Sequence, residues 1–142
     1  MKIIFLFTIM LLIGMGGCQF AHADQKPDIG GKYEIKKNVY LMVVYKDPRN
    51  KKISKNTATG YLHSVEYAHK SDVAYQKMVP AGTVMVVLGT APKVWRLPWL
   101  ADRYFVRLNP DYSEDLDVIL SLDRGMDGNL GGLNSDIFSR LE

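Results

Sequence analysis

Two short apolar runs, Val84–Leu88 and Tyr104–Leu108, bracket a segment that carries both tryptophans of the chain, Pro92 and Pro98, and the cations Lys93, Arg96 and Arg103. Runs of this length, rich in Val, Tyr and Phe, suit strands, because a helix needs about 10 or more residues of sustained periodicity. Pro80-Ala81-Gly82 supplies a turn ahead of the first run: Pro presets φ at the first central position and Gly accepts a positive φ. Thr83–Leu88 is near-continuously apolar, which predicts a strand buried on both faces. In the second run Tyr104, Val106 and Leu108 point one way, and Phe105 and Arg107 the other. The pair is therefore predicted to be two strands holding an aromatic, basic connection between them.

The rest of the chain repeats this pattern. Tyr33–Lys36 alternates with period two, and Val39–Tyr45 is β-branched and aromatic, giving one bent strand or two short ones. Lys46–Lys55 is a cationic, turn-forming insert and reads as a solvated loop. Gly60–Tyr67, Asp72–Met78 and Val118–Leu122 have strand composition, with Asn109-Pro110-Asp111 a turn and Asp123–Gly132 a Gly and Asp loop. Leu133, Ile137, Phe138 and Leu141 recur at helical spacing behind Asn134-Ser135, a suitable N-cap, so a short closing helix is expected. Short strands at turn-marked spacing with hardly any helical pattern make the class all-β, with about 6 strands in one domain over residues 32–142. The Gly31-x-Tyr33-x-Ile35 opening and the VPAGT turn before a buried strand resemble small bacterial SH3-like barrels. That resemblance implies an SH3-like or related partly open barrel and transfers no functional residue.

The N-terminus reads as an export signal. Lys2 precedes the apolar run Ile3–Ile13, broken only by Thr8, and Gly14, Gly16 and Gly17 follow. A spanning helix needs about 20 apolar residues, more than this run supplies. Met15-Gly16-Gly17-Cys18 resembles the lipobox of bacterial lipoproteins, which implies signal removal over residues 1–17, lipidation at Cys18 and a membrane anchor. Gln19 resembles the outer-membrane sorting class of those lipoproteins. Ala21-His22-Ala23 fits ordinary signal peptidase instead, with a signal over residues 1–23. Residues 18–31, ending in DQKPDIGG, read as a flexible tether. Since Cys18 is the only cysteine, no internal disulfide can form, and the core must supply the stability.

Charge is divided along the chain. Asp24–Leu108 carries 15 Lys and Arg against 7 Asp and Glu, and Asn109–Glu142 carries 2 against 8. Such asymmetry can mark a partner-facing surface; the reading favoured for most of these charges is that the acidic tail packs beside the basic half. The cationic insert has no interleaved aromatics, so a nucleic-acid groove is not expected.

Motifs for chemistry each fail a requirement. There is no nucleophile elbow, and His63 and His69 are spaced as no metal pair on a helix or strand. His63 is expected to be a wall residue of its strand. Asp123-Arg124-Gly125-Met126-Asp127-Gly128 overlaps the start of a calcium loop but has Gly125 and Asn134 where ligands are required. Asp111, Glu114, Asp115 and Asp117 form an acidic turn with nothing to place two of them across a cleft. Neither metal nor cofactor is expected, and the chain is read as a non-enzyme.

The connection is what remains. Trp and Arg are the residue types most enriched at interface hot spots, and Pro92 and Pro98 lower the ordering cost of binding. Lys93, Trp95, Arg96, Trp99 and Arg103 are thus the expected partner-binding residues, with indoles that plug a barrel end as the alternative. The expectation is a periplasmic, lipid-anchored, non-catalytic protein that binds another protein, of the inhibitor or immunity kind. An envelope module that binds peptidoglycan or another glycan is the rival.

Overall fold

The structure, a computed structural model, describes residues 26–66, 71–93, 102–121, 133 and 135–142. Eight strands form one mixed sheet: β1 (Lys32–Ile35), β2 (Val39–Tyr45), β3 (Ala58–His63), β4 (Val73–Val79), β5 (Val84–Ala91), β6 (Arg103–Asn109), β7 (Val118–Ser121) and β8 (Phe138–Leu141). Their order is β4-β2-β3-β7-β6-β5-β1-β8, antiparallel throughout except for the parallel β3–β7 pair. The all-β class is as expected, and no α-helix occurs among the described residues.

Alternation along the strands builds the core. Val39, Leu41 and Val43 of β2 and Tyr104, Val106 and Leu108 of β6 are buried, while Tyr40, Met42 and Phe105 are half-buried and Arg107 is exposed. One hydrophobic cluster collects buried residues from all eight strands, so the sheet is curled around a single interior. The bend that allows this lies between consecutive strands. β2 pairs with β4, and β1 with β5, so β1–β2 and β4–β5 form one long antiparallel ribbon interrupted at 36–38 and 80–83. Ile35 N donates to Thr83 O at 2.9 Å, Gly82 N to Ile35 O at 2.7 Å, and Ala81 N to Asn38 Oδ1 at 3.1 Å. Gly82, at φ 90°, takes the positive φ that the sequence assigned to it.

Three expectations are corrected. First, β5 is buried on one face only: Met85 and Val87 are inside, Val84 and Val86 are half-buried, and Leu88 is 48% exposed. A register shift between Val87 and Gly89 leaves Leu88 without a direct partner on β6 and turns it outward. Second, the sheet has eight strands and not about six; those buried on both faces are β3 and β7, with Val118, Ile119 and Leu120 of β7 all buried between β3 and β6. Third, the expected closing helix is absent. Phe138–Leu141 is β8, paired with β1 from Lys32↔Leu141 to Ile35↔Phe138. A helix of one or two turns is marginal alone, whereas the edge of β1 offers a ready ladder and the core accepts Phe138.

Of the expected tether, residues 26–31 are described and are bonded to the body. Gly30 N donates to Val87 O at 2.8 Å, Val87 N to Gly31 O at 3.0 Å, and Arg140 pairs with Asp28 at 2.6 Å.

Candidate partner-binding site

The apolar runs Val84–Leu88 and Tyr104–Leu108 lie on adjacent strands. β5 and β6 pair from Val84↔Asn109 to Ala91↔Arg103, so the connection leaves and re-enters at one end of this hairpin. Trp95, Arg96 and Trp99 lie outside the described residues, as does Cys18. Lys93 and Arg103 are described, at the foot of the connection.

Both are committed to holding that foot. Lys93 Nζ lies 3.2 Å from Asp102 Oδ1, joining the two ends of the connection, and Lys26 Nζ lies 2.7 Å from Asp102 Oδ2. The hydrogen bond from Lys26, then that from Lys93, holds the Asp102 carboxyl below its ordinary range, and Asp102 in turn raises the Lys26 ammonium. Arg103 Nη1 donates to Pro92 O at 3.0 Å, and Nη2 to the Tyr61 hydroxyl at 3.4 Å. Its guanidinium carbon stands 5.7 Å from the Tyr61 ring centroid, within cation–π range. The structure thus places Lys93 and Arg103 as a clamp at the two ends of the connection.

Beneath the clamp the outer face of the sheet carries an apolar row. Met42 faces Tyr61, Tyr61 faces Ile119, and Ile119 faces Phe105 across three neighbouring strand pairs. Aromatic and branched residues at facing positions support one another and stiffen the platform under Arg103.

The other candidates fall into structural roles. His63 is buried at the end of β3, as a wall residue should be; His69 lies outside the described residues. Among the described residues no group of His, Cys, Asp or Glu is arranged to hold a metal ion. The calcium-like stretch Asp123–Gly128 lies outside the described residues.

The acidic turn is ordered by Asp111. Its Oδ1 accepts from Ser113 N at 2.8 Å and Ser113 Oγ at 2.6 Å, and its Oδ2 accepts from Asp115 N at 3.0 Å. Desolvation pushes this carboxyl up, but the hydrogen bonds from Ser113 and Asp115 outweigh it and leave it below its ordinary range. Glu114 and Asp115, both at positive φ, fold the turn back so that Leu116 enters the core. Glu114 then pairs with Lys77, and Asp117 with Lys55 at 3.7 Å. Here the acidic tail does pack beside the basic half, which accounts for part of the charge split.

No protein-family model, curated protein or solved structure matches the chain.

Sequence reasoning missed Asp102, Tyr61 and Lys26. A signal for the first was present: Asp102 is the only acid between Val73 and Leu108, in a stretch with five cations. An isolated acid among cations that flank a strand boundary is a natural ion-pair hub. Tyr61 carried no such signal, because its meeting with Arg103 depends on the parallel β3–β7 pairing.

Proposed function

We propose that this is a non-catalytic binding protein of the cell envelope, exported to the periplasm and lipid-anchored at Cys18 to the outer membrane. It presents the connection between β5 and β6 to a protein partner. Within that class the reading is an inhibitor or immunity-type protein that neutralises a secreted toxin or lytic enzyme. The observation that carries the binding site is the clamp: Asp102 tied to Lys93 and Lys26, and Arg103 tied to Pro92 O and the Tyr61 ring. A connection fixed at both ends loses less entropy on binding, and it contains both tryptophans of the chain, the residue type that most often dominates interface energetics. Trp95, Arg96 and Trp99 are the contact residues in this reading, and Lys93 and Arg103 position them. The fold reading attached to it is the partly open barrel; its SH3-like character rests on the Gly31–Ile35 opening and the VPAGT turn.

The test is capture from envelope extract. The full chain should retain one protein in stoichiometric amount, inhibit that protein's toxic or lytic activity, and lose both properties on combined Trp95→Ala and Trp99→Ala substitution with the fold intact. Recovery of no stoichiometric protein overturns the reading. Co-sedimentation with purified cell-wall sacculi that requires the same tryptophans replaces it with the glycan-binding one.

A further inference from the structure

The β2–β3 loop, residues 46–57, carries Lys46, Arg49, Lys51, Lys52 and Lys55 against one acid, Asp47. Composition alone makes it a solvated loop, yet the structure gives it a fixed internal framework. Asp47 Oδ1 accepts from Arg49 N at 2.9 Å, Asn50 N donates to Asp47 O at 2.9 Å, and Asn50 Oδ1 accepts from Lys52 N at 3.2 Å. Thr57 Oγ1 donates to Lys52 O at 2.6 Å and accepts from Ser54 N at 3.0 Å; Thr57 N and Ala58 N both donate to Ser54 O.

Two of the lysines brace this framework. Lys46 Nζ donates to Lys55 O at 2.9 Å, and Lys51 Nζ donates to Ser71 O at 2.5 Å while standing 4.7 Å from the Tyr45 ring centroid. Arg49, Lys52 and Lys55 face solvent. Arg49 is 3.8 Å from Asp47, and Lys55 is 3.7 Å from Asp117, both near the outer limit for an ion pair and exposed, so their charge is weakly compensated. Ile53, 43% exposed, sits among them.

We infer that this loop is a docking surface for an acidic segment of a partner protein. Charges this close reinforce one another within a Debye length of about 8 Å and attract an anionic surface. The shape is formed before contact, which lowers the ordering cost. An apolar residue ringed by charges matches the centre and rim of a protein interface. β3 runs from the loop at Ala58 to Tyr61, whose ring lies 5.7 Å from the Arg103 guanidinium carbon, so at the usual strand rise the loop stands roughly 10 Å from the clamp. The surface is separate from the β5–β6 connection and does not depend on it.

The test measures fluorescence anisotropy of a labelled poly-glutamate peptide with the full chain in nonionic detergent. The substitutions Arg49→Ser, Lys52→Ser and Lys55→Ser together are compared with Lys32→Ser, Lys36→Ser and Lys37→Ser, which remove the same charge from exposed positions elsewhere. Thermal melts confirm that both variants fold. The loop variant should bind at least about tenfold more weakly than wild type and the control within about twofold, because local charge pairs, and not net charge, set the contact. Ile53→Ser should weaken binding further at raised salt. Equal losses in both triple variants, no binding by wild type, or loop-dependent preference for phosphatidylglycerol over phosphatidylcholine vesicles without poly-glutamate binding would each overturn it.

Discussion

Lys93 Nζ and Asp102 Oδ1 stand 3.2 Å apart, one at each end of the β5–β6 connection, and the second oxygen of Asp102 is taken by Lys26. One carboxylate therefore links the start of the described chain to both ends of the segment that carries Trp95 and Trp99. The arrangement is solvent-accessible, so its worth is local: it fixes where the connection begins and ends more than it stabilises the sheet.

The Asp102 carboxyl should titrate below an ordinary aspartate, since its hydrogen bonds from Lys26 and Lys93 favour the charged form. A carboxyl depressed by folding contributes stability that is present above its unfolded value and lost as pH falls through its folded one. The clamp should therefore persist at neutral pH and open in acid. Carbon-detected NMR titration should give a midpoint under about 3.9, the free-peptide value, and Lys26→Ala should raise it. A midpoint at the free value in the wild-type chain contradicts the clamp.

Asp111 makes a second acid-sensitive point. Its carboxyl is also held down, by hydrogen bonds from Ser113 and Asp115 that prevail over desolvation. Protonation below its lowered value releases the turn that seats Leu116 in the core. The urea midpoint should fall as pH drops below about 4, and Asp111→Asn should lower the neutral-pH midpoint while flattening that dependence. An unchanged acid slope in the variant removes Asp111 from the account.

Gly60 of β3 lies against Leu41 of β2 and Val118 of β7. A Cβ there would come within 2.9 Å of Leu41 Cδ1 and 3.3 Å of Val118 Cγ2, both fully buried partners. Gly60→Val should cost at least about 1–3 kcal/mol by overpacking, read from chemical denaturation. Gly89, with open space around it, should accept Ala with little change.

Phe138 decides between the strand that forms and the helix that its spacing suggests. It is 3% exposed and sits in the common core, so Phe138→Ala should destabilise by about 3–5 kcal/mol. Amide protection at Lys36 should fall with it, because Lys36 N donates to Ile137 O at 2.7 Å, next to Phe138. A loss confined to residues after 135 would mean that the segment is an appendage.

Legibility in the sequence followed from how local each signal was. The alternation of Tyr104, Val106 and Leu108 with Phe105 and Arg107, though imperfect in the sequence, and the Pro80–Gly82 turn are local signals, so both emerged as expected. β8 was misread because Phe138–Leu141 is too short for periodicity to separate a helix from a strand, and the deciding partner, Lys32–Ile35, lies about a hundred residues away. Leu88 was misread because a register shift cannot be seen in one strand alone. Lys93 and Arg103 flank the connection by sequence alone, but the partner Tyr61 of Arg103 arises from a pairing that spans the sheet. The tryptophans stand out by composition; the clamp that positions their segment does not.

Because Trp95 and Trp99 are the only two tryptophans in the chain, intrinsic emission reports on the connection alone. The most direct test is to titrate the captured envelope protein into the full chain and follow the emission, using a Trp-free form of that protein or resolving its own signal. Saturable change in intensity and wavelength, with the same midpoint as calorimetric binding, is the predicted result. Binding by calorimetry with unaltered tryptophan emission would place the partner elsewhere on the domain and contradict the assignment of the connection as the working surface.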